Sequence, residues 1–273
     1  MRLCMLTRLG ALLMLALHIV NVRAATNHSS YDASVLEASP RVVIILDDLG
    51  YRQSDLNALT LPPEITFAIL PDTPLGFDIA HLAHNQGREV MLHMPMQASG
   101  GKRMGPLGLT TDMYPAAITH NVRQAMRTVP YAVGVNNHMG SAFTTNTDTM
   151  RAFMQEVKRQ GLFFVDSRTS VASKGQQMAN HLGVPNARRQ VFLDNDTSEL
   201  AMLRQFEMMK RIAKKQGFVV VIGHPYPETV DFLSRHLPQL AEEGFTLATV
   251  DSALYFPSSN AEQVSNPINI APQ

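Results

Sequence analysis

From Val42 to about Val250 the chain alternates short apolar runs with longer stretches whose apolar residues recur every three or four positions. The first run, Val42–Leu46, holds five consecutive apolar residues, four of them β-branched, and reads as a strand buried on both faces. Comparable runs lie at Ile65–Leu70, Glu89–His93, Ala132–Val135, Leu162–Val165, Gln190–Leu193, Phe218–Ile222 and Phe245–Val250. Between them the helical period predicts a short helix opened by Ser54 and one behind Thr73-Pro74, an N-cap followed by proline. Further buried stripes are Ile118, Val122, Ala125, Met126 and Val129, then Met150, Phe153, Met154 and Val157. A shorter helix closes at Gly183, the longest spans about Glu199–Gln216, and one more ends before Gly244. A glycine-rich loop runs from Pro95 to about Asp112, and loops that long inside a compact domain are usually functional or mobile.

Seven or eight β-α units with near-continuous apolar strands imply an α/β fold, a parallel sheet covered by helices. An open doubly wound sheet and a closed barrel both fit this pattern. No glycine-rich phosphate fingerprint follows the first strand, so a parallel β/α barrel of seven or eight strands is the favoured expectation.

Polar residues gather where the apolar runs stop: Asp47 and Asp48, His93, Asn136, Asn137 and His138, Asp166 and Arg168, Asp194, and His224. In a parallel barrel those strand ends meet on one face, where the chemistry sits. Adjacent carboxylates repel and push each other's pKa apart, a cost that a cation offsets. The bland alternative is a strand-end turn in which Asp caps the next segment. His93 alone fits a hydrogen-bonded core position, His138 and His224 fit turns, and Asp194 reads best as a cap for the helix after it. Taken together, Asp48, His93 and His138 are the expected ligands of one divalent metal ion. Two imidazoles and a carboxylate with an open position suit a catalytic zinc-type site, and other divalent ions tolerate the same set.

Composition narrows the partners. The formal net charge is zero, so the chain carries no basic footprint for nucleic acid. The one long apolar run, Leu9–Val20, follows Arg2 and Arg8 and precedes Val22-Arg23-Ala24, the arrangement of a secretory signal peptide cleaved after Ala24 or Ala25. An uncleaved anchor is the alternative, although the run is short for a span. Cleavage removes three arginines and the single cysteine, Cys4, leaving 20 basic residues against 23 acidic ones and no thiol. Any metal must then be held by histidines and carboxylates. The expected organisation is a signal peptide at 1–24, a flexible lead-in at 25–40, a barrel domain at 41–256 and a disordered tail at 257–273. The mature chain is expected to be exported, periplasmic or extracellular, with no membrane span.

The segments V-I-I-L-D-D-L-G-Y (Val43–Tyr51), H-M-P-M (His93–Met96), N-N-H-M-G-S (Asn136–Ser141), F-V-D-S (Phe164–Ser167) and G-H-P (Gly223–Pro225) resemble, in order, the divergent polysaccharide deacetylase family. That family is a branch of the NodB-homology metal-dependent deacetylases. The resemblance covers about Val42 to Asp251 and implies a distorted β/α barrel with a divalent cation, commonly zinc. It implies Asp47 as catalytic base, Asp48 as ligand and His224 as general acid. Asn136, Asn137, Asp166 and Arg168, from the same cluster of strand ends, are expected near the substrate or behind the ligands. Mainstream members take both histidines from one His-x-x-x-His segment; here Gln97 follows His93 at the fourth place, so His138 becomes the second histidine. The family's arginine-proline motif that orients the base is absent, with Arg168 the candidate in its place. The implied activity is removal of acetyl groups from an acetylated glycan of the cell envelope. Two alternatives are a non-catalytic glycan-binding or scaffolding protein that keeps the barrel, and a hydrolase of non-sugar amides or esters.

Overall fold

The computed structural model describes residues 39–255; the signal segment, most of the lead-in and the 257–273 tail lie outside them. Nine strands form one parallel sheet: β1 (Arg41–Leu49), β2 (Thr66–Ile69), β3 (Val90–Met96), β4 (Ala132–Met139), β5 (Phe163–Asp166), β6 (Asn186–Arg188), β7 (Val191–Phe192), β8 (Phe218–Gly223) and β9 (Thr246–Leu247). Their spatial order is β6-β5-β4-β3-β2-β1-β8-β7, with β9 on β1. The helices are α1 (Gly76–Asn85), α2 (Pro115–Thr128), α3 (Thr147–Arg159), α4 (Gly175–Leu182), α5 (Glu199–Gln216), α6 (Pro227–Glu242) and α7 (Val250–Tyr255). The sheet curls into a half-barrel whose two ends are β6 and β7, which is the distorted barrel expected. No helix among the described residues is long and apolar enough to cross a membrane.

The two faces of the curled sheet carry two separate cores. The outer one joins Val42, Ile44, Leu46, Phe67, Leu92 and Val221 to the helices through residues such as Ile79, Val122, Phe153, Phe206 and Phe232. The inner one is small: Val43, Ile45, Ala68, Met91, Phe163, Val165, Val220 and Ile222, closed below by Ala248, Val250 and Ala253. Since side chains alternate along a strand, every second residue points inward. Stepping by two from the last inner apolar residue gives Asp47 after Ile45, His93 after Met91 and His224 after Ile222. The step from Gly134 gives Asn136 and then His138. Gly134 is required for packing, because a Cβ there would overlap the Phe163 ring.

Several boundaries differ from expectation. β4 continues through Asn136, Asn137 and His138 rather than ending at Val135, because it stays paired with β3 in the register His93 to Asn136 and Pro95 to His138. The polar strand β6 was not expected; it lacks the apolar pattern and pairs only with β5. The last expected strand shrinks to Thr246–Leu247 and gives way to α7, whose first amides at Val250 and Asp251 donate to the Glu89 carboxylate at 2.9 Å each. Helix α1 starts at Gly76, and Thr73 donates its hydroxyl to the Leu70 carbonyl instead of capping.

Candidate metal centre and active site

Asp47 and Asp48 are neighbours on one strand, yet both line the same cavity of about 440 Å³. The backbone explains this. The pairing of β1 with β2 shifts register between Leu46 and Leu49, and Asp48 sits in the left-handed region at φ 63°. Asp tolerates that conformation better than most residues, and such strand irregularities re-aim side chains beside functional sites.

Asp48 Oδ1 lies 3.0 Å from His93 Nε2 and 2.7 Å from His138 Nδ1, and the two nitrogens are 3.3 Å apart. A tetrahedral ion with bonds of about 2.0–2.1 Å spaces its ligand atoms by about 3.3 Å. Asp48 Oδ1 is also a buried oxygen without a hydrogen-bond partner. Among the described residues, Asp48, His93 and His138 form the one group of three that could hold a metal ion. The donor set therefore fits a divalent cation.

Asn136 sets the chemistry of two of these groups. Its Nδ2 donates to Asp47 Oδ1 at 2.7 Å, and its Oδ1 faces His93 Nδ1 at 2.7 Å. A carboxylate only accepts, so the amide nitrogen must face Asp47 and the amide oxygen must face His93. His93 Nδ1 then carries the hydrogen, and in the neutral ring Nε2 turns its lone pair to the cluster, the usual outer-layer control of a ligating histidine. Asp47 Oδ2 remains free of Asn136 and lies 3.7 Å from His93 Nε2.

His224 approaches from β8, with Nε2 3.8 Å from Asp48 Oδ2. Its Nδ1 is 3.0 Å from Asp194 Oδ1, while Asp194 Oδ2 accepts from the His224 main-chain N–H at 2.6 Å and from the Thr229 hydroxyl at 2.8 Å. The ring stacks on Tyr226, centroids 5.3 Å apart. Asp194 is thus the partner of His224 and not a cap of the following helix, which corrects the reading from sequence.

The protein's own groups set the charge states. Burial pushes the Asp47 carboxyl up against the pull of His93, His224 and Asn136. Burial also opposes the charge on Asp48, but the adjacent His138 and His93 imidazoles hold it well below the usual carboxylate range. For His93 burial disfavours protonation, yet Asp47 and Asp48 outweigh it and hold the imidazole up to about 9. His224 is raised as well, because Asp194 outweighs its burial.

The remaining expected residues tie the strand ends around the cavity, which Asn137 also lines. Asn137 accepts from the Ser167 main-chain N–H at 2.9 Å and donates to the Met139 carbonyl at 2.7 Å, tying the ends of β4 and β5 together. Buried Asp166 accepts from the Arg168 amide and the Ser173 hydroxyl, ordering the turn before α4. Arg168 donates to the Val171 carbonyl and does not take the place of an arginine on the base. Arg189, which sequence reasoning missed, lines the cavity with Asp47. Its Nε donates to the Ser167 carbonyl at 2.7 Å, and it lies over Phe192 at 4.8 Å. No strand-end signal marked it, because it lies in the two-residue link between β6 and β7.

Comparison with known proteins decides the family. Residues 44–254 match the family described as divergent polysaccharide deacetylase. The chain belongs to that family. Similar proteins include the uncharacterized protein YibQ of Escherichia coli K12, 37% identical over 218 residues, covering 80% of this chain and 68% of YibQ. An uncharacterized protein of Haemophilus influenzae Rd is 35% identical over 207 residues, 76% of this chain and 74% of its own. Among solved structures, the uncharacterized protein ATU2773 from Agrobacterium tumefaciens C58 matches with a TM-score of 0.76 at 23% identity, over 78% of this chain and 89% of that one. The Bc1960 peptidoglycan N-acetylglucosamine deacetylase, solved with 4-naphthalen-1-yl-N-oxidanyl-benzamide, matches at a TM-score of 0.50 and 14% identity, over 81% and 90%. These two structures share the fold.

Proposed function

We propose that the chain is an exported, metal-dependent hydrolase that removes acetyl groups from an envelope polysaccharide, with zinc held by Asp48, His93 and His138. Residues 41–256 would form its catalytic domain. One observation carries this reading: two proton-transfer groups, Asp47 and His224, each stand within 4 Å of the three-ligand cluster and each has its own buried orienting partner, Asn136 and Asp194. A structural ion site needs neither. Family membership supports the same reading, and export rests on the Leu9–Val20 pattern.

A bound divalent cation supplies Lewis acidity, polarising a carbonyl and lowering the pKa of water toward neutrality. The protein's residues do the rest. Asp47 Oδ1 is held by Asn136, so Oδ2 takes the proton as water adds to the acetyl carbon. His224, protonated against Asp194, faces the cavity with Nε2 and delivers a proton to the departing amine or alkoxide. Arg189 stands beside Asp47 and favours its ionised form. The test is acetate release from a panel of acetylated glycans by the zinc-loaded protein, with the chelator-stripped protein alongside. Release that appears only with metal supports the reading; metal-loaded protein that frees no acetate from any acetylated glycan opposes it.

A further inference from the structure

Beside the catalytic cavity lies a second lobe of about 250 Å³, and Asp48, His138 and Tyr226 line both. The second lobe adds Tyr51, Arg52, Arg103 and Met104. Lys102 lines the first lobe and Arg103 the second, so the tip of the glycine-rich loop stands between them. That loop is pinned at its base, where Leu109 N–H donates to Pro95 O and Gln97 N–H to Leu109 O, both at 2.9 Å. Arg52 sits over the Tyr226 ring at 6.0 Å.

The charge around the groove is lopsided. Apart from Asp47 and Asp48, no carboxylate lines either lobe. Among the described residues, Arg52, Lys102 and Arg103 make no ion pair with any carboxylate, so their charge is free to face the groove. A divalent ion on Asp48, His93 and His138 would balance the two aspartates and leave the rim cations in excess. Cations left unpaired beside a groove focus field onto a negative ligand. A half-exposed tyrosine next to two guanidinium groups suits a sugar ring that carries an acid.

We infer that the second lobe is an anion-recognising subsite, in which Arg52 and Arg103 beside Tyr51 and Tyr226 bind a carboxylate or phosphate on the glycan unit next to the one that is deacetylated. This rests on the reading of the groove as a glycan site and names its substrate class: acidic rather than neutral polysaccharide. Lys102 favours the same charge from the other side of the loop. Exposed guanidinium contacts are individually modest, each worth about 1.5- to 5-fold in affinity. Two or three on one anion give roughly a tenfold preference, weakened by salt over a screening length of about 8 Å at physiological strength.

The test measures binding, not turnover. The zinc-loaded protein is titrated by calorimetry with three oligosaccharides of equal length: a neutral N-acetylglucosamine oligomer, one alternating with glucuronic acid, and one bearing phosphate. The acidic oligomers should bind roughly tenfold more tightly at low salt, the gap should shrink at high salt, and whichever acid binds better identifies the anion. An Arg52→Ser/Arg103→Ser variant with unchanged metal content and melting temperature should bring the ratio to about one. Equal affinity for neutral and acidic oligomers, or a preference that survives in the variant, overturns the inference. Should that variant not fold, Arg103→Ser alone, on the exposed loop, must lower the ratio severalfold. An acidic preference without acetate release would defeat the deacetylase reading and leave the subsite standing.

Discussion

The Asp194–His224 pair makes a prediction that can be worked through atom by atom. In Asp194→Asn the side chain keeps its shape, and the His224 main-chain N–H cannot accept a hydrogen bond. The amide oxygen must therefore take the Oδ2 position, which satisfies that N–H and the Thr229 hydroxyl. The amide nitrogen is left facing His224 Nδ1, which must then accept. The fold should survive, with a melting temperature within a few degrees of the parent. The imidazolium should not. One hydrogen bond to a charged group is worth about 1.5–3 kcal/mol, and one pKa unit corresponds to about 1.4 kcal/mol, so the His224 pKa should fall by roughly 1–2 units. A raised histidine pKa keeps the acid protonated to higher pH, so the alkaline limb of the rate profile should move down by that amount. Stability follows the same sign. His224 stabilises the parent fully below the unfolded histidine value of about 6.5, the gain is lost as pH climbs through the raised folded value, and the variant should flatten that limb. Rates on an amide substrate should drop by roughly 10²–10⁴, the usual contribution of a positioned acid, and far less on an activated ester, which leaves without a proton. An alkaline limb that stays in place, or equal losses on both substrates with metal retained, refutes the assignment of His224.

Three further outcomes follow from the same geometry. Asn136→Ala removes both the Asp47 and His93 contacts and should weaken metal affinity about 10–100-fold while slowing turnover, read by competition with a chelating dye. Because His93 is held up to about 9, metal uptake near neutral pH should release about one proton from it and strengthen with rising pH until about 9; calorimetry in buffers of different ionisation enthalpy counts that proton, and uptake without release would contradict it. Gly134→Ala forces the Phe163 ring out of the inner core and should cost about 1–3 kcal/mol in urea unfolding.

The sequence was most legible where one physical rule acted alone. Apolar runs marked the long strands, and the polar residue following each run marked Asp47, Asp48, His93, His138 and His224, because on a curled parallel sheet the inner apolar row must stop where the cavity opens. Short polar β6 had no such signal, and Pro95 hid the extension of β3. Asp194 was visible at a strand end, but its pairing with His224 depends on β7 lying against β8, a neighbour relation that local pattern does not encode. Arg168 looked apt by position in the chain; Arg189 supplies the guanidinium at the cavity because the link between β6 and β7 folds back over Ser167. Asp166 and Asn137 carry the same strand-end mark and hydrogen-bond the backbone or side chains of the loop after β5, so that mark locates the cavity rim rather than any one role.

The central claim is that adjacent aspartates divide the labour: Asp48 binds the ion, and Asp47, held by Asn136, moves the proton. The direct measurement is turnover per bound metal ion in Asp47→Asn, with Asp48→Asn beside it. The account predicts that Asp47→Asn keeps near-stoichiometric metal and loses roughly 10²–10⁴ in turnover per ion. Asp48→Asn should lose metal and regain part of its activity when metal is added in excess. Equal metal loss in the two variants, or full turnover per ion in Asp47→Asn, would contradict it.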